Sequence, residues 1–226
     1  MGLVISQLRR RIIVFSGTDG AGKSTQIQLL DDLLVAEGVK VTQFWARGGY
    51  TPGFSLFKAL IRKVRPGSVP KPGPSKARSQ QFKSSRVRRT WLLISILDLI
   101  LCYAGWLRLK QMLGYTVICD RYIEDTLLDF NHNFPKEDVA LWWSWRLLEA
   151  LAPRPRLRFL LIVPPEESAR RSILKNEPFP DSPETLEWRY ARYQELAKTG
   201  PWVSIDCLDS IEAVNQQILG AMESCD

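Results

Sequence analysis

Apolar residues along this chain fall into two patterns. Short unbroken runs near 11–16, 39–45, 115–119, 157–163 and 202–206 are rich in Ile, Val, Phe and Leu. Runs of that length and composition predict strands, and the most apolar of them predict strands buried on both faces. Between them, apolar residues recur at helical spacing over 23–36, 54–64, 80–113, 122–134, 137–151, 165–175, 183–198 and 210–223, which predicts helices. Strands alternating with helices predict an α/β fold, a parallel sheet covered on both faces. No internal repeat or long linker interrupts the pattern, and 226 residues suit a single domain over 1–226. The stretch 66–79, with Pro66, Pro70, Pro72 and Pro74, reads as a mobile basic loop.

One segment stands apart. From Trp91 to Leu107 the residues are nearly all apolar except Asp98. A membrane span needs about 20 such residues, and a central aspartate is costly there, so the segment predicts a buried central helix. The alternative lays it and its basic flank on a membrane surface. The charge pattern bears on this choice. The net charge is +7, yet between Glu37 and Asp98 there is no acidic residue, while cations recur from Arg62 to Arg89. Such a block attracts anions, whether nucleotides or lipid headgroups, or it is simply a solvated basic surface. No nucleic-acid-reading motif accompanies it. The four cysteines form no CxxC pair, and His132 is the only histidine. A structural zinc site is therefore not expected, and a reduced, cytoplasmic compartment is. Arg9–Arg11 follow a short apolar patch and lead straight into a strand, the wrong order for a secretory signal.

Candidate chemistry lies at the strand ends. Residues 17–24 read Gly-Thr-Asp-Gly-Ala-Gly-Lys-Ser, matching G-x-x-x-x-G-K-[ST] between a strand and a helix. In such a loop, backbone N–H groups from Gly17, Thr18, Asp19, Gly20, Ala21, Gly22 and onward to Thr25 can surround phosphate oxygens. Lys23 can bridge the β- and γ-phosphates of ATP, and the Ser24 hydroxyl can ligate Mg²⁺. Asp120, after the run Tyr115–Cys119, stands where a ligand of Mg²⁺-bound water belongs; it could also be a helix N-cap. Arg170, Arg171 and Lys175 follow the fourth strand on a helix that runs into a proline-rich cover. Cations closing from a lid stabilise a transferring phosphoryl group, although an exposed charged helix face has the same pattern.

Taken together, the segment Phe15–Gln26, the triplet Asp120-Arg121-Tyr122, the stretch Pro165–Lys175 and the helix bearing Arg189, Arg192 and Tyr193 resemble the thymidylate kinase family. The resemblance implies a P-loop kinase domain with five parallel strands, a short lid at about 170–182, Mg·ATP as donor and, often, a homodimer. It implies that Lys23, Arg121, Arg170 and Arg171 act on the transferring phosphate, and that Asp19, Arg47, Asp98, Arg121 and Tyr122 line the acceptor site. Gly20 with the Arg170/Arg171 pair resembles the family arrangement that keeps its basic residues in the lid.

The departures from the family gather on the acceptor side. Leu99 replaces an arginine after Asp98, Ser95 replaces a base-stacking aromatic residue, and Trp45-Ala46-Arg47-Gly48-Gly49 replaces Arg-Glu-Pro-Gly-Gly. Ser16 stands where a glutamate is common. The donor half therefore reads as a kinase with a nucleoside monophosphate, dTMP-like, as acceptor. The alternative acceptor is a phosphosugar or lipid-linked glycan at a membrane surface. A non-catalytic nucleotide switch is disfavoured, because the chain has no guanine-reading Asn-Lys-x-Asp.

Overall fold

Five strands form one parallel sheet in the computed structural model, which describes residues 8–45, 63, 82, 84–176 and 180–224. They are β1 (Ile12–Gly17), β2 (Val41–Trp45), β3 (Thr116–Asp120), β4 (Leu157–Ile162) and β5 (Val203–Asp206). Their spatial order is β2-β3-β1-β4-β5. The three inner strands are buried at nearly every position, whereas β2 and β5 keep exposed residues. Inner strands meet helices on both faces, so their sequences are continuously apolar; edge strands meet water along one side.

Alternate residues of β1 serve two separate cores, as a period of two requires. Ile13 and Phe15 pack with α1 (Lys23–Ala36) and α8 (Ile211–Glu223) through Ile27, Leu30, Leu34, Val214 and Ile218. Ile12 and Val14 face the other way. That side is covered by α2 (Ser85–Ile100), a π-helical segment (Leu101–Leu107), α4 (Ile123–Asn133), α5 (Trp143–Leu151) and α7 (Pro183–Thr199). The short α3 (Arg108–Met112) continues the π segment, and α6 (Pro165–Leu174) follows β4.

Two sequence expectations change here. The helix expected over 80–113 is not one regular α-helix, because Leu101–Leu107 widens into π geometry. The buried positions Leu99, Tyr103 and Leu107 are spaced by four, which the wider turn keeps on the sheet side. Nor is this helix buried all round. Leu92, Ile96 and Leu99 are fully buried, but Leu97 and Leu101 are 42% and 72% exposed. The span Ser85–Met112 is long and apolar enough to cross a membrane, with a mean hydropathy of 1.8, yet its inner face belongs to the core. The helix expected over 54–64, apart from Lys63, the basic loop 66–79 and Arg47 lie outside the described residues.

Candidate active site at the carboxyl ends of the strands

The loop from Gly17 to Gly22 leaves β1 and enters α1 at the sheet edge where β1, β3 and β4 all end. Its first glycine is required by close approach. Gly17 has φ +129°, and a Cβ there would lie 1.8 Å from the Leu161 carbonyl oxygen. Gly20 and Gly22 also take left-handed φ values, +76° and +82°, which favour glycine.

The loop is pinned to the β4–α6 corner from several sides. Thr18 N donates to Leu161 O at 3.1 Å, and Val163 N donates to Thr18 Oγ1 at 2.9 Å. Ser168 Oγ donates to Asp19 O at 2.6 Å. Arg171 donates from Nη1 to Gly20 O at 3.0 Å and from Nη2 to Cys207 O at 2.9 Å.

Lys23 opens α1 and is 8% exposed. Its ammonium donates to Thr18 O at 2.7 Å and Gly17 O at 3.1 Å, and lies 3.9 Å from Asp19 Oδ1. Burial first, then the charge of Arg121, hold its pKa down at about 8, against the pull of Asp19, Asp120 and Asp125. Asp120 ends β3 beside Phe15 and Trp45 in register. Its Oδ1 is buried with no hydrogen-bond partner among the described residues, and burial pushes its carboxyl above the usual range although Lys23 and Arg121 pull the other way.

Arg121 follows with φ +76°, uncommon for a non-glycine residue, and its N–H donates to Phe15 O at 2.8 Å. Strain of this kind clusters at functional sites. Its guanidinium pairs with Asp19 through Nη2. Nη1 donates to Asp125 Oδ1 at 3.1 Å and to Tyr193 OH at 2.9 Å.

These groups share one cleft of about 280 Å³. It is lined by Asp19, Gly20 and Gly22–Thr25 of the loop together with Trp45, Asp120, Arg121 and Lys175. An adjoining cleft of about 270 Å³ shares Ser24, Trp45 and Asp120. A larger groove of about 550 Å³ lies between Arg89, Leu93 and Trp142; among the described residues it shares none with either cleft and has no carboxylate in its lining. We place the candidate site at the loop, because chemistry follows converging polar groups rather than volume.

The structure sorts the other expected residues. Lys175 lines the cleft, but Arg170 and Arg171 do not. Arg171 lies one turn before Lys175 on the same face, underneath the loop, while Arg170 is turned about 100° away and its side chain is 62% exposed. Both arginines grip Glu167, at 2.7 and 2.5 Å, and their hydrogen bonds hold its carboxyl at about 2. Tyr122 is turned into the core, donating its hydroxyl to Pro153 O at 2.6 Å. Asp98 is partly exposed on α2 and lines neither cleft. Ser95 and Leu99 are fully buried, and Ser95 Oγ donates to Trp91 O at 2.9 Å.

Asp125 and Ser168 carry loop or arginine contacts that motif reading did not single out, and Thr18, expected through its N–H, adds a side-chain contact to Val163 N. The signal for Asp125 was available: an acid three residues after the residue preceding a helix can cap it, and Tyr122 N donates to Asp125 Oδ2 at 3.1 Å. Further along α7, buried Arg189 meets Asp129 at 2.9 Å and Asp181 at 3.0 Å.

Comparison with known proteins bears on the family. The thymidylate kinase family model matches residues 104–218, from the π segment through Asp120 and α6 into α8. A probable thymidylate kinase of Methanocaldococcus jannaschii is 26% identical over 218 residues, covering 94% of this chain and 95% of its own. A thymidylate kinase of Bartonella henselae is 27% identical over 218 residues, covering 91% and 92%. A third, from Nostoc, is 28% identical over 138 residues, 58% of this chain and 57% of its own. None of these three is named as a sugar or glycan kinase. With the parallel sheet and its phosphate loop in place and a family match spanning half the chain, the protein belongs to the thymidylate kinase family of phosphotransferring enzymes.

Proposed function

We propose that this protein transfers the γ-phosphoryl group of ATP to the phosphate of a nucleoside monophosphate, of the dTMP type. The observation that carries the reading is the convergence of Lys23, Asp120 and Arg121 on one cleft walled by the phosphate loop. The loop N–H groups bind the triphosphate tail, aided by the N-terminus of α1. Lys23 exchanges the carbonyls of Gly17 and Thr18 for β- and γ-phosphate oxygens, whose negative charge offsets the desolvation of its buried ammonium.

The donor set also fits Mg²⁺, a hard cation that takes oxygen ligands. Asp120 Oδ1 is a buried acceptor without a donor among the described residues, and Ser24 borders the same cleft. These two residues would hold the ion, Asp120 through water. When bound, Mg²⁺ supplies neutralisation of phosphate charge. Arg121 holds the acceptor phosphate, Asp19 orients its sugar, and Lys175 supplies a lid cation. Arg171 acts from below by fixing the Gly20 carbonyl. An acceptor phosphate is already an anionic nucleophile, so positioning suffices and no general base is required. The cytoplasm, where ATP and nucleotides are plentiful, is the compartment this reading assigns.

Ser95 and Leu99 are buried in the core, so base preference has to come from other residues and is expected to be weaker than in relatives that stack the ring. ADP release is measured with dTMP, dUMP, UMP and CMP in turn. Turnover with at least one, abolished by Lys23→Ala, supports the reading. No turnover with any of the four overturns it.

A further inference from the structure

Arg121 is held at both ends of its guanidinium, and the two ends differ. Nη2 reaches Asp19, whose side chain is 33% exposed at the cleft; Nη1 reaches Asp125, whose side chain is 2% exposed. Tyr193 OH closes a triangle on the buried side. It accepts from Arg121 Nη1 at 2.9 Å and donates to Asp125 Oδ1 at 2.7 Å. The second oxygen of Asp125 accepts from Ser16 Oγ and from Tyr122 N. One carboxylate thus gathers donors from β1, the β3–α4 turn, Arg121 and α7. A buried carboxylate needs such a set of donors to offset its lost hydration.

The arrangement has a fixed end and an exchangeable end. Asp19 can be displaced by an incoming acceptor phosphate, because it faces the cleft. Asp125 is sealed behind the loop and keeps its grip while the other end changes partner. Position 16 adds a second observation. Ser16 sits on β1, and its hydroxyl donates to the Asp125 carboxylate. A glutamate at position 16 would reach, from β1, the place that the Asp125 carboxylate reaches from α4.

We propose that Asp125 is the positioning residue for Arg121, and that a carboxylate delivered to the same place from position 16 of β1 would do the same work. The proposal rests on Arg121 being the acceptor-phosphate residue. Asp125 touches neither cleft, so it acts through Arg121 and its loss shows as an acceptor defect rather than an ATP defect. Ser16 and Asp125 then form an exchangeable pair: either position can carry the carboxylate if the other carries the hydroxyl.

The test is steady-state kinetics with the fastest acceptor among dTMP, dUMP, UMP and CMP, alongside calorimetric Mg·ATP affinity. The proteins are the wild type, Asp125→Ser and the double variant Ser16→Glu/Asp125→Ser. The single variant is expected to lose at least about 30-fold in acceptor kcat/KM with Mg·ATP affinity held within about threefold. The double variant is expected to return within about fivefold of wild type, a non-additive recovery that two independent structural lesions would not give. A single variant within threefold of wild type, or a double variant no better than the single, overturns the proposal. If Asp125→Ser does not fold, the double variant decides alone: folded and active supports the exchange, inactive or unfolded refutes it. A wild type that transfers nothing removes the functional reading and this one together, whereas an active wild type with indifferent variants removes this one only.

Discussion

Raising the pH should weaken ATP binding through a single group, Lys23. In the nucleotide-free protein its pKa sits at about 8, because burial and the neighbouring Arg121 charge outweigh Asp19, Asp120 and Asp125. Phosphate oxygens favour the ammonium, so bound ATP moves that pKa back up. The charged fraction before binding falls from about nine-tenths at pH 7 to about one-tenth at pH 9. The Kd for Mg·ATP should therefore rise about tenfold over that range, or about 1.4 kcal/mol. Binding at pH 9 should take up close to one proton.

Calorimetry in buffers of differing ionisation heat measures both quantities. Cys102 and Cys207 are pushed up to about 11, so they titrate outside this window. Stability should move in the opposite sense. A lysine whose folded pKa lies below its unfolded value costs stability fully below about pH 8, and that cost fades as pH rises towards 10.5. The nucleotide-free protein thus gains from this group as affinity declines. Lys23→Arg, charged throughout, should show a flat profile. A wild-type Kd constant between pH 7 and 9, with no proton uptake, would refute the reasoning.

Three further outcomes follow from contacts described above. Gly17→Ala drives a Cβ to 1.8 Å from the Leu161 carbonyl at φ +129°; it should cost several kcal/mol, lower Tm by roughly 10 °C and abolish nucleotide binding, as thermal melts with and without ATP will show. Tyr103 is fully buried with a hydroxyl that has no partner among the described residues, so Tyr103→Phe should stabilise the fold by about 1 kcal/mol and raise Tm by roughly 2–4 °C; a lower Tm contradicts the orphaned hydroxyl. Asp120→Asn removes a carboxylate whose ionised form burial already disfavours; kcat should fall by about 100-fold while the nucleotide-free melting temperature stays level or rises.

Most of the architecture was legible because burial leaves a periodic record. β1, β3 and β4 read as unbroken apolar runs since they meet helices on both faces. The phosphate loop was legible for a different reason: its glycines are demanded by local backbone shape, which Gly17 and the Leu161 carbonyl illustrate. The lid cations were harder. Arg170, Arg171 and Lys175 are near neighbours in sequence, but only Lys175 lines the cleft, because helical rotation turns Arg170 away and contacts with the Gly20 and Cys207 carbonyls hold Arg171 beneath the loop. Asp125 was legible only as a helix cap and not as a site residue, since its partners Ser16, Arg121 and Tyr193 come from β1, the end of β3 and α7. The π-helical stretch left no motif either; only the four-residue spacing of Leu99, Tyr103 and Leu107 hints at it.

The amino-acid sequence alone determined the strand–loop–helix that can cradle a triphosphate, the parallel sheet behind it and the carboxylate at the end of the third strand. These depend on neighbours in the chain, where dihedral preference and hydrophobic periodicity act over a few residues. The tertiary structure decided the rest: that Ser95 and Leu99 are filled into the core, that Arg171 braces the loop from below and that Arg121 hangs between an exposed Asp19 and a sealed Asp125. Side chains distant in sequence acquire such roles only when packing fixes which of them share water, and charge is strong or weak according to that exclusion.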